Sequence, residues 1–223
     1  QAETLEQLIE RRAHFLAAYQ NEAYADRYRE KVAAIRIAEE RACPGSSVVS
    51  EAVAKSLFKL MAIKDEYEVA RLYTDGTFQR KLAEQFEDWS RLEFHLAPPI
   101  LGRRHTDGRP RKSRFGPWMM KAFSVLAAMR RLRGTPLDLF AYTAERRMER
   151  RLLRDFEADL SLIAARLSVA NLDAATALAS VPMMIRGYGH VKESNASKAA
   201  AERHRLLARL KKLQADPVLV AAE

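Results

Sequence analysis

Thr143–Leu167 reads TAERRMERRLLRDFEADLSLIAARL. Within it Met148, Leu152, Phe156, Leu160, Ile163 and Leu167 recur at three- and four-residue intervals, the signature of one apolar stripe on an α-helix. Thr143 stands where an N-cap side chain would accept one of the orphan amides of the first turn. A stripe of that length must be covered by other helices, and the sequence supplies them. Val49, Val53, Leu57, Leu60 and Met61 follow the same spacing after the break at Pro44-Gly45-Ser46-Ser47. Ala199, Leu206, Leu207, Leu210 and Leu213 do so near the C-terminus, and Leu5, Leu8, Ile9, Leu16 and Tyr19 near the start. Shorter helices are predicted over Thr77 to Asp88, Trp118 to Arg131 and Leu172 to Ser180, each bounded by Gly, Pro or a small polar residue. The expected class is mainly α, a multi-helix domain.

One segment departs from this period. Leu92-Glu93-Phe94-His95-Leu96 alternates apolar and polar before Pro98-Pro99, as a short strand does. With the turn signal Thr106-Asp107-Gly108 it predicts a β-hairpin around residues 92–115, its second strand near Ser113 to Phe115. There is no fixed-period repeat. The 223 residues read as a single helical accessory domain, 1–223, with an N-terminal helical region over 1–42 and a main body over 46–223. A start at Gln1 with helical spacing already in force suggests a fragment of a larger polypeptide.

Hydrophobic residues make up 48% and charged residues 30%, an ordinary globular balance, and no window approaches the ~18 consecutive apolar residues of a membrane helix. The lone cysteine, Cys43, cannot form an intrachain disulfide, so a reducing cytoplasm is the expected compartment. The formal charge of +9 is unevenly spread. Residues 1–102 carry 14 Lys/Arg against 17 Asp/Glu, residues 103–154 carry 15 against 4, and residues 155–223 carry 9 against 8. The excess of +11 in the middle segment is where an anionic partner would be steered. Arg103, Arg104, Arg109, Arg111, Lys112 and Arg114 are its densest part, among prolines and glycines that exclude a regular helix.

No catalytic constellation accompanies these patterns. One cysteine cannot ligate an iron–sulfur cluster, and His14, His95, His105, His190 and His204 include no i, i+4 pair for zinc. The expected set of catalytic and metal-binding residues is therefore empty. Gly187-Tyr188-Gly189 has two glycines of a dinucleotide loop, but Lys192 occupies the third place. A helix opening at Gly189, with Arg186, His190 and Lys192, makes an anion-site candidate. A turn with glycines at positive φ on a cation-rich surface is the preferred reading. Lys64-Asp65-Glu66-Tyr67, with Glu68 and Arg71, would serve as an acid–base pair if buried; i, i+4 neighbours on a solvated face are preferred. In Glu145–Arg151 some arginines are expected to pair with Glu145 and Glu149. Met119, Met120, Met129, Met183 and Met184 are expected to fill core.

Five stretches together carry a resemblance. Phe58-Lys59-Leu60-Met61-Ala62-Ile63-Lys64-Asp65-Glu66-Tyr67-Glu68-Val69-Ala70-Arg71-Leu72-Tyr73-Thr74-Asp75-Gly76 resembles the opening block of the C-terminal domain of the indolepyruvate ferredoxin oxidoreductase family. Phe94–Pro99, Phe115–Met119, Tyr142–Met148 and Ile185–Lys192 resemble later blocks, in the family's order. The resemblance implies a cytoplasmic parent enzyme that decarboxylates arylpyruvates on thiamine diphosphate, passes electrons through iron–sulfur clusters to ferredoxin and forms an aryl-acetyl coenzyme A. This chain has neither a Gly-Asp-Gly diphosphate motif nor cluster cysteines, so no catalytic residue and no cofactor is carried over to it.

The favoured expectation is thus a non-catalytic accessory domain whose partners are the catalytic modules of that enzyme, with ferredoxin met through the parent. Homo-oligomerisation stays open, and no membrane partner is expected. The alternative is a nucleic-acid or other polyanion-binding module using residues 103–154, which lacks a recognition helix or stacking platform to go with its charge. A third class, a free-standing enzyme working through Asp65 and Glu66 or Arg186 and His190, would need turnover by the isolated chain.

Overall fold

The computed structural model describes residues 3–85, 92–96, 112–187 and 189–215. The chain forms two compact units, residues 1–63 with 138–223 and, inserted between them, residues 64–137.

In the first unit, α1 (Leu5–Tyr19), α2 (Glu22–Ala42) and α3 (Val48–Met61) precede α7 (Ala144–Arg166), α8 (Leu172–Ser180) and α9 (Gly189–Ala215). Local chemistry sets the helix starts. Thr4 and Gln7 form a reciprocal capping box on α1, Asn21 accepts from the Tyr24 amide on α2, and Thr143 accepts from the Arg146 amide on α7 as its position predicts. The apolar stripes meet in one core: Leu16 and Tyr19 of α1, Val53 and Leu57 of α3, Phe156, Leu160 and Ile163 of α7, Leu178 of α8, and Leu206 and Leu210 of α9. Met148 and Leu152, at the N-terminal end of the α7 stripe, are only half-buried.

The start of α3 is capped from a distance. Ser47, its N-cap residue, makes no side-chain cap bond. The fully buried Glu39 of α2 does that work, accepting from the amides of Val49 (3.0 Å) and Ser50 (2.8 Å) and the hydroxyls of Ser50 (2.6 Å) and Ser46 (2.8 Å). Burial opposes ionisation of this carboxyl, but the hydrogen bonds from Ser50, Val49 and Ser46 outweigh it and hold the pKa below its ordinary 4.5. Glu39→Gln, which turns an NH2 toward these donors, is expected to cost about 1–3 kcal/mol at neutral pH. A depressed carboxyl contributes stability that is complete above its unfolded pKa and is lost as pH falls through the lower folded one. Urea midpoints measured from pH 7 down to strongly acid conditions should therefore converge for the two proteins at the acid end; a constant gap would show that charge is not the cause.

In the second unit, α4 (Glu66–Thr74), α5 (Thr77–Gln85) and α6 (Met119–Ala128), with a 3-10 turn at Met129–Leu132, accompany the predicted hairpin. β1 (Phe94–Leu96) pairs antiparallel with β2 (Ser113–Phe115), Phe94 opposite Phe115 and His95 opposite Arg114. Its loop lies outside the described residues, as do the last three residues of the helix expected to reach Asp88. Phe94 and Phe123 meet edge to face at 5.3 Å, and Tyr73 stacks on Phe123 at 4.9 Å, which builds a small aromatic core with Ala70, Met119 and Ala127.

The expected solvated face at residues 64–71 is corrected by this unit. Asp65, Tyr67 and Glu68 are all buried. Asp65 caps α4 by accepting from the Glu68 amide (2.8 Å), and Arg133 Nε and Nη2 donate to its carboxylate at 2.6 and 2.7 Å. The Arg133 guanidinium also lies 5.3 Å from the Tyr67 ring centroid. Glu68 accepts two bonds from Arg71, both 2.8 Å. Arginine side chains thus bond both buried carboxylates, Arg133 to Asp65 and Arg71 to Glu68, in a structural network.

Candidate functional site

The 3-10 turn Val181–Met184 that follows α8 buries its first two residues and exposes its last two. Val181, Pro182 and Ile185 are buried against the core, so Met183, Met184 and Arg186 face outward. Met183 and Met184 therefore do not fill core as the sequence suggests, whereas Met119 does. The chain then passes Gly187 at φ 91° and enters α9 at Gly189 with φ 53°, the positive-φ turn preferred from the sequence. A Cβ at position 187 would stand 2.7 Å from Val191 Cγ1, so glycine is required there on two counts. Asn195 Nδ2 donates to the Arg186 carbonyl (2.9 Å) and ties the turn to the helix that follows it.

Lys59, near the C-terminal end of α3, reaches this turn. Its Nζ donates to the carbonyls of Pro182 (2.9 Å) and Met183 (3.2 Å). Arg186 Nε donates to the same Met183 oxygen, also at 3.2 Å. Two cationic nitrogens that share one acceptor are separated by no more than twice that distance, where like charges repel. Burial, then the charges of Arg186 and Lys192, push the Lys59 ammonium below its ordinary pKa. Among the described residues no carboxylate pairs with Lys59 or Arg186.

Lys192 is placed differently. It forms a close ion pair with the buried Glu149 and a second, at 3.6 Å, with Glu145. Glu149 also accepts from Arg146 at 2.5 Å, as expected for the 145–151 charge run. His190 is exposed. The fold thus brings Arg186, His190 and Lys192 to one end of α9 and adds Lys59, which sequence reading missed. Its only sequence signal is a cation inside the apolar block Phe58-Lys59-Leu60.

The second predicted group is less defined. Arg103, Arg104, Arg109 and Arg111 lie outside the described residues. Lys112 is exposed, and Arg114 pairs with Glu93 at 3.5 Å. Elsewhere in the basic segment, Arg133 is buried on Asp65, Arg146 is paired with Glu149 and Arg150 donates to the Ala141 carbonyl (2.6 Å). Part of the +11 is consequently spent inside the protein. Beneath the 181–185 turn an apolar cavity of about 70 Å³ is lined by Leu60, Leu152, Phe156 and Ala199, with the bidentate Arg203–Asp159 pair at its edge (2.6 and 2.7 Å). Among the described residues no group of three or more His, Cys, Asp or Glu could hold a metal, and no helix is long and apolar enough to cross a membrane.

Neither a curated protein nor a solved structure matches the chain. A family model does, over residues 5–205, which takes in both units: the chain belongs to DUF6537, a family of unknown function.

Proposed function

We propose that the chain is a non-catalytic accessory domain of an indolepyruvate (arylpyruvate) ferredoxin oxidoreductase, packing on the thiamine-diphosphate and iron–sulfur modules of that enzyme. The observation that carries this reading is where two aromatic residues of the resembling blocks stand. Trp118 is 60% exposed and Tyr142 65% exposed. On α6 the core face is Met119, Phe123 and Ala127, while Trp118, Ala122 and Val125 form a second, outward face. Large aromatics turned to solvent are the anchors expected of a surface that a partner covers. The sole cysteine, Cys43, is half-buried and cannot by itself ligate a cluster, so in this reading the iron–sulfur clusters sit in the modules the domain would touch.

The test is co-expression of the tagged chain with the catalytic modules of such an enzyme. Stable co-purification is expected, together with at least a tenfold loss of affinity in Trp118→Asp and in Tyr142→Asp, each still folded by circular dichroism. Absence of association, or association indifferent to both substitutions, overturns the reading. Retention of mixed-sequence duplex DNA at physiological salt would favour the polyanion-binding module on residues 103–154 in its place.

A further inference from the structure

We propose that Lys59, Arg186 and Lys192 form a binding site for a phosphate monoester dianion at the entrance to α9. The site does not depend on the accessory-domain reading. Its basis is an excess of charge that the protein leaves uncompensated. Lys59 and Arg186 converge on the Met183 carbonyl, and neither has a carboxylate among the described residues. Lys192 is held by Glu145 and Glu149, so the two positive charges left for a ligand to balance are those of Lys59 and Arg186.

Donor geometry points to phosphoryl over a single carboxylate. Arg186 spends only Nε on Met183, so the other guanidinium hydrogens stay free for a planar fork of donors. Lys59 spends two of its three ammonium hydrogens on Pro182 and Met183. The amides at the start of α9, a 27-residue helix that opens three residues after Arg186, add donors and a positive dipole end. A phosphate monoester dianion presents three terminal oxygens to so many donors, whereas a planar carboxylate presents two. Burial first, and then the charges of Arg186 and Lys192, lower the basicity of Lys59, and an arriving dianion would offset the second of these.

The experiment is titration of the isotopically labelled chain with inorganic phosphate, adenosine monophosphate and succinate, at ionic strength held constant with chloride. The amide shifts of Gly187 and Gly189 and the side-chain amide of Asn195 are followed. Saturable shifts centred on these groups are expected for phosphate and for the nucleotide, with succinate weaker by about tenfold or more. Equal response to the two phosphates would mean that the phosphoryl group alone is read; tighter nucleotide binding would mean that the adjoining surface contributes. Arg186→Gln, at an exposed position, should stay folded and raise the phosphate dissociation constant by about tenfold, and Lys59→Met should do the same. The proposal is overturned if the wild-type shifts do not saturate, if they centre elsewhere, if succinate binds as well as phosphate, or if Arg186→Gln binds phosphate unchanged.

Discussion

Replacing Arg133 with methionine is expected to lower the stability of the 64–137 unit by about 3–5 kcal/mol, because it strips a buried carboxylate of its bidentate counter-ion. Asp65 cannot escape to water: it is buried, and its position is fixed by the cap bond to the Glu68 amide. The loss should appear as faster hydrogen exchange at α4 and α6 amides, with α1–α3 little changed if the units unfold separately. Adding Asp65→Leu to Arg133→Met removes the orphaned charge and should restore most of the stability. A remainder of about 1 kcal/mol should persist, since the N-cap of α4 has gone with it. Exchange that is indifferent to Arg133→Met would show that the ion pair is ornamental.

Leu160→Ala is the second large effect. Leu160 is 2% exposed on the face of α7 that meets the core, and truncation should cost about 2–5 kcal/mol, the upper part applying where the surroundings cannot collapse. Leu152 lies on the same stripe but is half-buried and borders a cavity of about 70 Å³. It already lacks neighbours on one side, so Leu152→Ala should cost clearly less. Urea midpoints of the two variants measure the difference. The reverse order would mean that the end of α7 near Leu152 is packed more tightly than the centre.

Sequence periodicity carried the helices well because burial at Phe156, Leu160 and Ile163 repeats with the helix itself, and the same holds for Val49, Val53 and Leu57. The strand pair at Phe94–Leu96 and Ser113–Phe115 was legible from alternation, and Thr143 from its place before the stripe. What escaped was chemistry that joins distant residues. Asp65 and Arg133 are 68 positions apart, and Lys59 meets carbonyls more than 120 positions away. Glu39 is nearer, but it replaces a cap that Ser47 would have supplied by local rules. Charge patterns read as surface failed for the same reason. A run of Lys, Asp and Glu looks solvated until a remote arginine makes burial tolerable, and spacing signals neither Arg133 as the partner of Asp65 nor Lys192 as the distant partner of Glu149. The candidate site was half legible: Arg186, His190 and Lys192 are neighbours in sequence, while Lys59 joins them only through the fold.

Because residues 64–137 interrupt the sequence of the other unit, chain order also sets the order of events on the ribosome. That stretch is continuous, so every residue of its aromatic core has been made when Leu137 leaves the tunnel. The surrounding unit has by then only α1–α3, whose apolar faces await Phe156, Leu160 and Ile163, and must be kept from the wrong company until α7 to α9 arrive. Synthesis thus completes the inserted piece first and its host last, although the host begins nearer the N-terminus.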